Sequence, residues 1–303
     1  MDVLILRPGA MGDTLMVLPS LAQLSGKAAF TFVGRQPGLG FVQDFVRNAL
    51  DLETPGWHRL FIEAPDHQGL PVSRADLVVA FFSKAAEHIR KNLKYYFPDV
   101  PIHVFPSFLP VGTKLHMARY LAECLQSAGL AVTPDRAVKE AMAGLRFGDS
   151  IQSIDRTRIV FHPGSGNILK NHSPDFWLKL LERSGRQEAW TGFKKTLLLG
   201  PAEEHLLSFF GESRTTCRMK IRLRPDKETL LVLLREAALY LGHDSGITHL
   251  AAMLGTPTIA LFKTTDINQW KPLGPRVRVI ESQKADLKLI GRILDVSKTL
   301  IKE

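Results

Sequence analysis

In each half of the chain a short apolar run stops at a glycine-bearing loop, and that loop opens into a helical pattern. Val3-Leu4-Ile5-Leu6 ends at Arg7-Pro8-Gly9, after which apolar residues recur at Leu15, Leu18, Leu21 and Ala22. Further on, the run 158–161 enters His162-Pro163-Gly164-Ser165-Gly166, and the run 239–241 enters Gly242-His243-Asp244-Ser245-Gly246. Apolar runs bounded by Gly and Pro read as strands buried on both faces. Strands that alternate with helices in this way demand a parallel sheet with helices covering both of its sides. The fold class is therefore α/β, and ligands of such sheets bind at the carboxyl ends of the strands.

The alternation extends through the chain. In the first half, strands are expected at 3–6, 29–33, 59–62, 77–82 and 102–105, and helices at 14–24, 40–50, 84–92 and 116–128. The stretch 133–157 is polar and weakly periodic, with no regular element expected, and the domain boundary is placed near Ser150. In the second half, strands are expected at 158–161, 196–199, 218–223, 239–241, 258–262 and 277–280. Helices are expected at 175–184, 203–210, 227–236, 247–254 and 287–300. Two such series in 303 residues give two doubly wound domains, 1–150 and 151–303, with a cleft between them.

Composition removes several classes. With 45% hydrophobic and 23% charged residues, a mostly disordered, collagen-like or coiled-coil chain is excluded. No run approaches the roughly 18 apolar residues of a membrane span, and MDVLILRPGAMGD reads as a first strand and not as a signal peptide. Cys124 and Cys217 are too few for a disulfide framework or a cysteine zinc site, and read as reduced, buried thiols of a cytoplasmic protein. His88, His103 and His116 are scattered, and neither H-E-x-x-H nor D-x-D occurs. The 39 Lys+Arg against 30 Asp+Glu leave a net charge of +9, which favours an anionic partner: a phosphorylated substrate, a membrane surface or nucleic acid. The basic residues are dispersed and no nucleic-acid module appears, so nucleic acid ranks last.

Three loops carry the chemistry. In Arg7-Pro8-Gly9-Ala10-Met11-Gly12-Asp13-Thr14, glycine permits a tight turn and close approach of backbone to a ligand. Asp13 at the helix start is either a cap for free amides or a functional carboxylate. The spacing is not G-x-G-x-x-G, so a dinucleotide fingerprint is not supported. His162-Pro163-Gly164-Ser165-Gly166, with Lys170 four residues on, offers backbone amides, a hydroxyl and a point charge, as a phosphate site does. Asp244-Ser245-Gly246 sits at a helix N-terminus, where the dipole and free amides favour an anion, and His249 falls near the first turn. No G-x-S-x-G elbow surrounds Ser245, so a hydrolase triad is not credible.

Taken in order, RPGAMGDTLMVLPSL, HPGSGNILKNHSPDFW and GHDSGITHLAAMLGTPTIALF followed by TTDINQW resemble glycosyltransferase family 9, the ADP-heptose:lipopolysaccharide heptosyltransferases. The resemblance implies a GT-B architecture: two Rossmann-like doubly wound domains facing a central cleft, the first (1–150) binding acceptor and the second (151–303, with a C-terminal helix) binding nucleotide-sugar. It implies inverting, metal-independent transfer of heptose from ADP-heptose to an inner-core sugar of lipopolysaccharide, the ADP-sugar being a substrate, with no cofactor. By the same resemblance Asp13 falls on the general base. Ser165 and Gly166 fall on the diphosphate loop, Lys170 on a cation at the donor's phosphate and sugar, and Glu203 on the acid that holds the ribose, with Glu204 as the alternative register. Asp244, Ser245 and Gly246 fall on the loop touching sugar and diphosphate, and His249 on the histidine one turn later; Gly12 is counted with the donor-contacting residues. Where the family reads Lys-x-Trp-Pro this chain has Lys170-Asn171-His172-Ser173-Pro174, and where it reads Phe-Gly-Pro-Thr-Asp this chain has Phe262-Lys263-Thr264-Thr265-Asp266. The implied partners are the nucleotide-sugar, the lipopolysaccharide core and, peripherally, an anionic membrane surface at the cytoplasmic face. A GT-B enzyme with another nucleotide-sugar, or a non-catalytic nucleotide-sugar-binding protein, stays open as an alternative.

Overall fold

The computed structural model describes residues 1–148, 155–217 and 219–302. The chain forms two compact units, Met1–Glu140 and Ala141–Glu303. The boundary expected near Ser150 falls outside the described residues.

The first unit holds β1 (Asp2–Leu6), β2 (Ala29–Gly34), β3 (Asn48–Asp51), β4 (Leu77–Phe81) and β5 (Ile102–Phe105) in the order β3-β2-β1-β4-β5. Every pairing is parallel. Val3 to Leu6 and Leu77 to Phe81 are buried throughout, because central strands of a doubly wound sheet have helices on both faces. Leu4, Leu6, Val78 and Ala80 share one core with Trp57, Leu60, Ile89 and Leu93.

The second unit holds β6 (Arg158–His162), β7 (Lys194–Leu199), β8 (Lys220–Leu223), β9 (Ala237–His243), β10 (Thr258–Phe262) and β11 (Val277–Glu281) in the order β11-β10-β9-β6-β7-β8. It too is parallel throughout. Ile159, Phe161, Leu197, Leu199, Leu239 and Leu241 meet Trp177, Leu180, Ile290 and Ile293 in one core, each such side chain contributing about 1.5–3 kcal/mol by leaving water. Helix Pro174–Ser184 shows how sequence dictates such an element. The Ser173 side chain caps it by accepting from the Phe176 amide, and Pro174 occupies the first turn, where no amide is needed. Phe176, Trp177, Leu180 and Leu181 then form its buried face. The Trp190 indole donates to Ser297 Oγ at 2.9 Å, satisfying its polar edge inside the core.

Several local expectations are corrected. The helix expected over 40–50 is a short helix, Gly38–Val42, a turn and then β3. Its apolar spacing looks helical, but β3 is fixed by pairing with β2, a contact no local period can display. The strand expected at 59–62 is a single turn, Trp57–Leu60, that drives Trp57 and Leu60 into the core. The helix over 14–24 is two helices, Met11–Leu15 and Leu18–Leu24, with Pro19 in the first turn of the second. Within 133–157 a helix, Pro134–Ala143, does form. Its buried positions are Pro134, Ala137 and Ala141, whose apolar signal is weak. The helix over 203–210 begins as a tight turn, Pro201–Leu206, and continues as Leu207–Gly211. A short helix, Ile267–Trp270, was not expected; Asp266 caps it. Both cysteines are free, but only Cys124 is buried, and Cys217 is exposed. Of the basic strand, Arg218 lies outside the described residues, and β8 is a sheet edge. Among the described residues no helix is long and apolar enough to cross a membrane.

Candidate active site

Each sheet has its switch of strand order beside its first strand, between β1 and β4 in one unit and between β6 and β9 in the other. Loops leaving these strands diverge to opposite faces and open a crevice, which is where such sheets bind ligands. All three sequence motifs leave a strand at one of these switches.

In the first unit, Asp13 is the third residue of helix Met11–Leu15. Its Oδ2 accepts from the Ala10 amide at 3.0 Å. The carboxylate thus caps the helix from inside its first turn, and Oδ1 takes no hydrogen bond among the described residues. Gly9 is required here, because a Cβ on it would stand 2.5 Å from Asp13 Cβ. Gly12, half-buried, lies on the same turn. Sequence reasoning passed over Arg7. Its guanidinium is buried, donates through Nε to the Asp13 carbonyl at 3.0 Å and through Nη1 to the Ser107 carbonyl at 3.2 Å, and lies 5.3 Å from the Phe81 ring centre. Burial pushes its pKa down to about 10 against the opposing pull of Asp13, so it remains a fixed cation beside the candidate base. A charged residue directly abutting a fully apolar strand is the signal that would have found it.

In the second unit the loops after β6 and β9 meet. Lys170 Nζ lies 2.7 Å from Asp244 Oδ2, and His249 Nε2 lies 3.4 Å from Asp244 Oδ1. Asp244 is 3% exposed. Burial alone would raise its pKa, but the hydrogen bond and charge of His249, then those of Lys170, outweigh burial and hold the carboxyl well below the usual range. His249 Nδ1 is buried without a hydrogen-bond partner among the described residues. Ser245 caps helix Gly246–Met253 by accepting from the Thr248 amide, so the Gly246 end presents free amides toward the loop. Ser165 Oγ stands 2.9 Å from the Asn167 carbonyl and 2.7 Å from Asn171 Oδ1. With one proton to give, it serves one of them at a time. Gly166 is exposed at the tip.

A buried polar chain joins these loops to Glu203. His162 Nε2 is 3.4 Å from Glu203 Oε2, and His162 Nδ1 is 3.1 Å from the Tyr240 hydroxyl and 3.4 Å from Ser245 Oγ. The Tyr240 hydroxyl is in turn 3.1 Å from Thr248 Oγ1. Glu203 also accepts from the Gly200 amide at 2.9 Å. Burial raises its pKa, but His162 and that amide more than reverse the effect. Gly164 lies flat on this side chain: a Cβ there would come within 2.0 Å of it. Glu203, and not Glu204, belongs to the loop cluster, since Glu204 is half-exposed and pairs with Arg224 at 3.2 Å.

The second unit therefore brings together Ser165, Gly166, Lys170, Glu203, Asp244, Ser245, Gly246 and His249, while Asp13 and Gly12 share the first turn of helix Met11–Leu15 in the first. Sequence reasoning missed His162, Tyr240, Asn171 and Lys263. His162 reads only as the head of its loop and Tyr240 as an ordinary strand residue, and their mutual contact comes only from pairing across β6 and β9.

A family model described as glycosyltransferase family 9 (heptosyltransferase) matches residues 111–292. No curated protein matches the sequence. Among solved structures, the E. coli heptosyltransferase WaaC with ADP is 16% identical, with a TM-score of 0.69, 99% of this chain and 100% of that one being covered. A glycosyl transferase family 9 protein from Veillonella parvula DSM 2008 is 13% identical at a TM-score of 0.72, covering 99% and 97%. E. coli ADP-heptose lps heptosyltransferase II is 16% identical at 0.67, covering 100% and 99%. These likenesses establish the fold, two parallel-sheet units of GT-B type.

Proposed function

The chain belongs to glycosyltransferase family 9, the heptosyltransferases, and from that premise we propose that it transfers heptose from ADP-heptose to an inner-core sugar of lipopolysaccharide, with inversion. In this reading 1–150 binds the acceptor and 151–303 the nucleotide-sugar. The acceptor hydroxyl oxygen attacks the anomeric carbon while the bond from that carbon to the diphosphate breaks, its electron pair leaving with ADP. The hydroxyl proton passes to Asp13, whose Oδ1 is the oxygen not occupied by the Ala10 amide. A carboxylate is a weak base, and it takes the proton late, once the sugar has gained oxocarbenium character. The departing diphosphate is stabilised by Lys170, the Ser165-Gly166 amides and the amino-terminal end of helix Gly246–Met253. Glu203 holds the ribose. One carboxylate on the acceptor side, with no second nucleophile there among the described residues, fits a single displacement, hence inversion.

The observation that carries this reading is the Lys170–Asp244–His249 cluster at the carboxyl ends of β6 and β9, a preorganised charged seat where a doubly wound sheet binds its ligand. The net charge of +9 suits an acceptor bearing phosphates and carboxylates at the cytoplasmic membrane face. The test is to incubate the protein with ADP-heptose and truncated lipopolysaccharides and weigh the products. A gain of one heptose per acceptor with release of ADP is expected, undiminished by EDTA. Stabilisation against heating by UDP- or GDP-sugars but not by ADP-heptose would replace the donor assignment. No product with any core acceptor would overturn the transfer itself.

A further inference from the structure

The Lys170 ammonium is already committed to Asp244 at 2.7 Å, so the pair brings little net charge to an incoming diphosphate. His172 and His243 beside it bring none at neutral pH. Burial, then the charge of Lys263, pushes the His172 pKa down to about 4. His243 is held well below its ordinary value by burial, with His172, His162 and Lys263 adding to the effect.

Lys263 differs from all of these. It follows β10 on the same carboxyl edge, next to the strand whose end carries Asp244; the Asp244 amide donates to the Leu261 carbonyl at 3.0 Å. Its Nζ donates to the Asn171 carbonyl at 3.0 Å, and among the described residues it enters no ion pair. An ammonium has three protons to donate, so two remain for a ligand. Asn171 also touches the phosphate-type loop, with Oδ1 2.7 Å from Ser165 Oγ. One residue therefore tethers both the cation and the loop. Lys263 is only half-buried, so a ligand can reach it.

We propose that Lys263 is a specificity-determining residue for the donor: beside Lys170, whose charge Asp244 largely offsets, it adds an uncompensated positive charge that engages the diphosphate. This rests on the reading of the second unit as a nucleotide-sugar site. The ligand class is a nucleoside diphosphate, free or bearing a sugar, and the group engaged is the phosphate that a monophosphate lacks.

The test is calorimetric titration of ADP, UDP and GDP, and of AMP, UMP and GMP, into the wild-type chain, Lys263→Met and Lys263→Arg, at low and high salt. In Lys263→Met the preferred diphosphate should lose between about tenfold and a hundredfold in affinity, and its monophosphate no more than about threefold. Lys263→Arg, which keeps the charge, should stay within about fivefold of wild type. The salt dependence of diphosphate binding should flatten in the methionine variant alone. Should that variant not fold, Lys263→Gln carries the same comparison. Equal losses for both nucleotides would mean that Lys263 is only a strut for Asn171, and would overturn the proposal, as would unchanged diphosphate affinity; both leave the donor site standing. A wild-type chain that binds none of the three diphosphates would remove the donor site and this proposal together.

Discussion

The Lys170–Asp244 pair tests most directly whether the second unit was built around a fixed charge. Asp244 is 3% exposed and Lys170 30%, with 2.7 Å between them. Breaking a fully buried pair by removing one partner costs about 3–5 kcal/mol, while an exposed pair is worth about 0–1 kcal/mol. With one end partly in water, we expect a coupling of about 2–3 kcal/mol. The experiment is a double-mutant cycle of Lys170→Met and Asp244→Asn in a Trp57→Phe background. The remaining tryptophans, Trp177, Trp190 and Trp270, then all report on the second unit during urea unfolding. The pH dependence has a definite sign. The Asp244 carboxyl is depressed in the folded state, so its stabilisation is complete above the unfolded carboxylate pKa of about 4 and is lost as pH falls toward the folded value. The coupling should be the same at pH 7 and pH 5 and should decline by about 1 kcal/mol per unit below about pH 4. A coupling under about 0.5 kcal/mol at pH 7, or one unaffected by acid, would refute the idea of a preorganised carboxylate.

Three further outcomes follow from the geometry. Asp13→Ala should lower kcat by about a hundredfold to ten-thousandfold with donor Kd unchanged in calorimetry; near-normal turnover would remove the base assignment. Gly164→Ala should destabilise the second unit by about 1–3 kcal/mol or more, since its new Cβ would stand 2.0 Å from Glu203. Glu203→Ala in the same chain should restore much of that loss in urea unfolding, and a merely additive double variant would contradict the packing. Arg7→Lys should cost about 1.5–3 kcal/mol of first-unit stability and lower turnover without changing donor affinity. An ammonium cannot span the Asp13 and Ser107 carbonyls as the guanidinium fork does, and wild-type stability, followed by fluorescence of Trp57, would show that the fork is dispensable.

The elements most faithfully written in the sequence are those whose signal is local and strong. Leu77–Phe81 and Thr258–Phe262 are continuous apolar runs, and each is a central or near-central strand. Helices 116–128 and 175–184 carry an apolar stripe, and both formed within a residue of expectation. Errors gathered where a distant partner outvoted local pattern. Residues 48–51 became a strand because β2 offered a free edge, and 59–62 became a turn because Trp57 needed a place in the core.

The candidate site divides along the same line. Loop chemistry is local, so Asp13, Ser165, Lys170 and Asp244 could be picked out from glycines, a strand end and a helix start. What they touch is not local. That Lys170 is committed to Asp244, that Glu203 lies beneath Gly164 and meets His162, and that Lys263 reaches the Asn171 carbonyl and, among the described residues, enters no ion pair are outcomes of bringing β6, β7, β9 and β10 side by side. The sequence alone determined the α/β class, the order of its loops and the family, because periodicity and short motifs are properties of neighbours along the chain. The tertiary structure decided which charges cancel and which remain available, because the energy of a charge is set by whatever folding places within a few ångströms of it.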